Sequence, residues 1–321
     1  MLKIEREQLA AQLAAVNAML QSMPPNDHLG RIGFEARRNE LQQQIQVLGE
    51  VDEHRAKVAL FFGGDPVVGS IGIETTFGTN VMWSFQDMMS KVWGALDEAQ
   101  PLRQMGPIRD REASQLHITS VVHGSFGFLL EELDNQTQPL FRTPLSVAAD
   151  KVTNYIINFA DDNENAFTET IEALNPRVFK SIRDFFSHMH GQNATFRIVE
   201  GEIDKQFDHH AIETAWKRAE GTNVDEQQVR IDGQLLGVIP VGRRFELQPA
   251  GGGHVVRGKI SESFGETYVQ NISRQQFAGR LWRALLLKKT IEKVGRPPVE
   301  NYTLLQLDEI SEAHPPQRPS Q

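Results

Sequence analysis

The sequence predicts an α+β protein in three parts: an N-terminal antiparallel helical hairpin, a central mixed α+β domain and a C-terminal small β-barrel of SH3-like or OB-like kind. Three observations predict it. Apolar residues near the N-terminus recur at helical spacing. The centre alternates strand-like with helix-like segments. The last part is a series of short apolar–polar alternations broken by Gly and Pro. With 321 residues, 40% hydrophobic and 23% charged, the chain is long enough for about two domains with real cores.

Residues 1–55 carry the hairpin. Leu9, Leu13, Val16 and Leu20 fall on one helical stripe, and the alanines between them favour helix. Pro24-Pro25-Asn26-Asp27 breaks that helix and offers the next N-cap. A second helix to about His54 places Ile32, Leu41, Ile45, Leu48 and Asp52 on or near its stripe. Two helices joined by a short turn pack antiparallel but bury little by themselves. The pair is therefore expected to lie on its own domain or to act as a coiled-coil-like arm that joins copies into a homo-oligomer.

Residues 56–223 form the central domain. Lys57 to Phe62 reads as a strand, Gly63-Gly64-Asp65 as a turn, and Pro66 to Ile73 as its return partner. Val81, Phe85, Met88, Val92 and Leu96 make one face of a largely buried helix. Leu116 to Val122 and Phe126 to Leu130 alternate as strands; residues 144–190 read as helices, with Pro144 in a first turn and Asn175-Pro176 opening another helix. Ala194 to Val199 reads as a strand and Phe207 to Ala219 as a helix.

Residues 224–310 form the barrel. Strands are expected at Val229 to Ile231, Leu235 to Ile239, Arg243 to Leu247, His254 to Ser261 and Tyr302 to Leu307, with a turn at Asp232-Gly233. Leu281 to Val294 fits a long strand or a helix. Residues 311–321, rich in Pro and Gln, are expected to be a disordered tail.

The absence of cysteine excludes disulfides, thiol nucleophiles and Cys-based metal sites. No stretch has the roughly 18 apolar residues of a membrane span, and the polar N-terminus lacks a secretory signal, so a cytoplasmic protein without membrane partners is expected. The net charge of −9 is uneven. Residues 1–223 carry 20 basic against 31 acidic side chains, whereas 243–296 carry 11 basic against four acidic, a local +7.

Candidate chemistry is sparse. Gly63 to Ser70 resembles a phosphate loop, but no lysine precedes Ser70, and a P-loop needs that ammonium. His123-Gly124-Ser125-Phe126-Gly127 is half of a nucleophile elbow, with Glu131 or Glu132 as an acid nearby. His188, His190, His209 and His210 gather near Asp204 and Asp208. Their one- and two-residue spacings point the members of each pair apart, against a shared metal.

The basic C-terminal part carries the main expectation. Arg243, Arg244, Arg257, Lys259, Arg280, Trp282, Arg283, Lys288 and Lys289 interleave charge with an aromatic, as a phosphate-tracking groove with a stacking platform would. The expected function is a non-enzymatic, oligomeric binding protein whose barrel contacts nucleic acid or another polyanion, with no cofactor and no metal. Two alternatives stand beside it: a structural subunit docking on a protein partner, and a metal-dependent hydrolase of nucleotides or nucleic acid using the His188–His210 cluster.

Overall fold

The computed structural model describes residues 3–24, 28–51, 54–97, 102, 105–122, 126–133, 139–266, 269 and 280–310. It is a mixed α+β protein that falls into two compact units. The first comprises 1–97, 105–170 and 177–220; the second comprises 98–104, 171–176 and 221–321. Among the described residues no helix is long and apolar enough to cross a membrane. The tail 311–321 and the Pro25 to Asp27 break lie outside them.

In the first unit a five-stranded sheet runs in the order β4-β5-β1-β6-β7. These strands are β1 (Lys57–Gly64), β4 (His117–Val122), β5 (Phe126–Glu131), β6 (Ala194–Glu200) and β7 (Ile203–Phe207). The expected return of Pro66 to Ile73 onto β1 does not occur. β1 is central, antiparallel to β5 on one side and β6 on the other. Val67–Val68 (β2) and Gly72–Ile73 (β3) pair only with each other. β1 has apolar side chains buried toward both faces, so its alternation gave no outer side; strands far off in sequence cover it on both flanks.

Alternation sends Leu60 and Phe62 to one face with Phe196 and Ile198. That side holds an aromatic core in which Phe62 meets Phe77 and Phe128 edge-on, and Phe196 meets Phe185 and Phe207. The helices α3 (Thr75–Ala95), α4 (Pro144–Ala160) and α6 (Pro176–Gly191) contribute their buried faces. α4 begins where expected: Thr143 Oγ1 accepts from the Ser146 amide at 3.0 Å, and Pro144 occupies the first turn. α5 (Glu164–Ala173) and α7 (His209–Glu220) complete the central helices. Asp208 Oδ1 caps α7 through the Ala211 amide. Toward the other face, Ala59, Phe61 and Val199 form a small second cluster.

α1 (Lys3–Ser22) and α2 (His28–Val51) also belong to the first unit. Arg31 donates to the Leu20 carbonyl and Arg37 to Gln12 Oε1. Leu20 and Leu41 are buried, whereas Ile32 is exposed and off the buried stripe.

The second unit is a closed ring of five strands, β10-β12-β11-β8-β9. Here β8 is Thr222–Ile239, β9 Arg244–Pro249, β10 Val256–Ile260, β11 Leu281–Lys293 and β12 Val299–Glu309. The ambiguous 281–294 stretch is therefore a strand. The expected turn at Asp232-Gly233 is instead the middle of β8, with Gly233 opposite both Trp282 and Pro249. Gly233 serves close approach, since a Cβ there would overlap the Gln248 carbonyl. Phe245, Leu247, Leu286 and Leu304 fill the interior.

Closure rests on a parallel pairing of β10 with β12, Gly258 to Ile260 against Tyr302 to Leu304. At Gly258 a Cβ would overlap the Tyr302 carbonyl, while Gly237 has open space around it. Gly258→Ala is thus expected to destabilise this unit by about 1–3 kcal/mol in chemical denaturation, with Gly237→Ala within about 0.5 kcal/mol of the parent.

Candidate functional site

The nine residues expected to bind a polyanion separate into groups once the strands are paired. Arg243 sits in the left-handed region (φ 49) and is a clamp. Its guanidinium donates to the carbonyls of Ser261 at 2.5 Å and Phe264 at 2.7 Å and meets Glu262 at 3.3 Å. Arg283 forms a two-pronged pair with Asp232 across the β8–β11 ladder, at 2.9 and 2.8 Å. Arg280 meets Glu309, Arg257 meets Glu246 and Lys288 meets Glu300, at 3.2, 2.9 and 2.6 Å. Trp282 is 5% exposed and belongs to the ring interior, so it offers no free face for a base.

Lys289 is buried, and its ammonium donates to the carbonyls of Ile171, Glu172 and Leu174 at 2.8, 2.7 and 2.5 Å. Burial pushes its pKa down to about 8, against the attraction of Glu226 and Glu172. The three carbonyls favour the charged form, so the side chain remains an ammonium at neutral pH. It is a structural cation.

Arg244 and Lys259 remain. They face each other across β9 and β10, both exposed, and neither has an ion-pair partner among the described residues. The inward positions of Phe245 and Ile260 turn both outward. The same cross-strand row continues to Ile239 on β8, which is 53% exposed. Leu236, at the β8 irregularity, and Val241, in the β8–β9 turn, add exposed aliphatic surface at 50% and 90%. The structure therefore unites Arg244 and Lys259, with the Arg257–Glu246 pair one row along. It assigns the other six named residues to clamps, pairs and core. Ile239, Leu236 and Val241 were missed because an alternating strand with apolar residues on both faces looks like a buried one.

The remaining chemical candidates do not converge. His190 stacks flat on Trp216, with ring centroids 3.8 Å apart, while His209 and His210 are exposed at the start of α7. Asp204 is held by Arg197 at 2.7 Å through both oxygens, and Asp208 is a helix cap. Among the described residues no group of three or more His, Asp or Glu side chains is placed to hold a metal. Glu131 meets Lys57 at 2.9 Å, and Glu132 accepts from the Ala56 amide and from Thr143. His123 and Ser125 lie outside the described residues. Gly63 and Gly64 end β1 against Thr195 and Ala194, with Asp65 bound to Asn193, a strand-end arrangement with no phosphate cradle.

Two polar clusters went unnoticed in the sequence. Ser181, 1% exposed, donates to Asp87 at 2.6 Å and accepts from Lys91 at 2.7 Å, tying α3 to α6. Burial opposes ionisation of Asp87, yet the Lys91 and Ser181 hydrogen bonds and the Arg111 charge hold its carboxyl below the usual range. In the second, the Arg142 guanidinium meets Asp150 at 2.5 Å and donates to Ser146 Oγ at 2.9 Å, and burial together with the Asp150 carboxyl pushes Glu200 up to about 8.

Compared with protein-family models, curated proteins and solved structures, the chain matches none.

Lys289 separates a structural from a ligand-binding role. Lys289→Met is expected to destabilise the second unit by about 2–4 kcal/mol, because it leaves buried carbonyls unsatisfied. Lys289→Arg is expected not to restore it, since a planar fork does not fit three converging acceptors. Chemical denaturation of the three proteins measures both.

Proposed function

We propose that this is a non-enzymatic binding protein whose C-terminal ring is a small barrel of OB-like kind that holds a polyanion, with nucleic acid as the ligand class. The observation that carries this reading is the outward Arg244–Lys259 pair on the ring's second and third strands. The strand order supports it. Taken from β8, the ring runs first, second, third, fifth, fourth and back to the first, with the third and fifth parallel. Five-stranded barrels of that kind take up oligonucleotides and oligosaccharides on the second and third strands and the flanking loops. Fold alone assigns no ligand, so the argument rests on the cations.

Among the described residues the outer faces of β9 and β10 carry no aromatic side chain. Contact would run through phosphates, with Ile239 and Val241 beneath the sugars and bases, and would show little sequence preference. The exposed aliphatics Leu236, Ile239 and Val241 also favour a second reading, an acidic protein partner anchored by apolar side chains. Self-association through α1 and α2 would add avidity. Light scattering during the titration tests that separately.

Binding of fluorescent single-stranded DNA and RNA, titrated across salt, tests the proposal. Two neutralised phosphates predict a slope of log K against log salt of about −1.4 for a single strand. Arg244→Glu combined with Lys259→Glu is expected to weaken binding at least tenfold, and Arg280→Glu to leave it nearly unchanged. No binding at low salt, or binding indifferent to the double variant, would remove the nucleic-acid reading in favour of the protein partner.

A further inference from the structure

The outward residues of β9 are Arg244, Glu246 and Gln248, and those of β10 are Arg257 and Lys259, because Phe245, Leu247 and Ile260 point inward. Register sets Arg244 opposite Lys259 and Glu246 opposite Arg257. Three cations and one acid therefore occupy two adjacent rows. Glu246 meets Arg257 at 2.9 Å, with the two side chains 42% and 71% exposed. On β8 the residue opposite Glu246 is Gly237, which brings no side chain. Next along β9, Gln248 is turned away to donate to the Gly253 carbonyl at 3.1 Å. Alternate residues of a strand lie about 7 Å apart on one face, so the Glu246 carboxylate stands one such step from Arg244. There it cancels the field of Arg257 and repels any phosphate chain that runs along β9.

We propose, resting on the polyanion reading of this face, that Glu246 is its specificity-determining residue. Its carboxylate masks Arg257 as a third phosphate contact and turns a bound single strand across the Ile239–Arg244–Lys259 row instead of along β9. An ion pair this open to water is weak, so the mask does not depend on a rigid bond. It depends on a negative charge held opposite Arg257 by the β9–β10 register. Removing that charge while keeping the shape of the side chain lifts the mask. The face then offers three cations to the ligand, Arg244, Lys259 and Arg257, with no acid among its outward residues.

The test titrates fluorescent single-stranded oligothymidylate across salt with the full chain, its Glu246→Gln variant, and Glu246→Gln combined with Arg257→Gln. Each phosphate contact on a single strand contributes about −0.7 to the slope of log K against log salt. Glu246→Gln is therefore expected to steepen the slope from about −1.4 to about −2.1 and to tighten binding at low salt about threefold or more. Adding Arg257→Gln is expected to return the slope to about −1.4. If the parent binds and Glu246→Gln keeps its slope and affinity, the mask is overturned and the site stands. A steeper slope that survives in the combined variant also overturns the mask, because Glu246 then acts on Arg244 and Lys259 directly. Absence of binding in both the parent and Glu246→Gln removes the polyanion site itself, and the mask with it.

Discussion

The parallel contact between β10 and β12 is the constraint on which the second unit depends. It is short, running from Gly258 to Ile260, and it exists because Gly258 lets the Tyr302 carbonyl approach the β10 backbone directly. Without it β10 would be a free edge, ready to pair with another chain. With it, every strand of the ring has two neighbours and the interior around Phe245 and Leu304 is sealed. Arg243 adds to this closure: its backbone turns left-handed after β8, and its side chain fixes the chain leaving β10. Arg244, the next residue, is thereby delivered to the outside of β9 on a rigid support. The position of the exposed cation pair follows from a glycine and a clamp.

Much of the local structure was legible in the sequence. Helix α3 follows from its apolar spacing, and α4 and α6 from Pro144 and Asn175-Pro176 at their starts. The strand-like stretches of the C-terminal part were legible too. What escaped was partnership. Alternation tells which face of a strand is apolar but not which strand lies beside it, and so β1 was given Pro66 to Ile73 when its neighbours are β5 and β6. Asp232-Gly233 has the composition of a turn, yet Arg283 and the Gln248 backbone, both distant in sequence, hold it extended. The Ser181–Asp87 hydrogen bond joins residues on separate elements, and no short motif can encode it.

The same limit explains the site. Summed along the chain, residues 243–296 look strongly cationic. Register brings Asp232 and Glu246 opposite Arg283 and Arg257, Glu300 and Glu309 reach Lys288 and Arg280, and carbonyls take two more. Formal charge per segment counts groups, whereas a ligand meets only those whose fields are not already cancelled a few ångströms away. Of the nine expected residues, Arg244 and Lys259 are left without an ion-pair partner among the described residues. As a proposed site the pair depends on that residue-level cancellation and not on the +7 of the segment.

β8 has a mechanical consequence. Its 18 residues run extended over on the order of 60 Å, and β11 pairs with it without interruption from Leu281 to Lys293. β12 lies on the other side of β11, parallel to β8, with Glu309 level with Gly233. A tensile load applied at Thr222 and at Glu309 would therefore act along the strands. The hydrogen bonds flanking β11 would be sheared together instead of unzipped singly, which makes this ribbon the stiffest, last-yielding part of the ring.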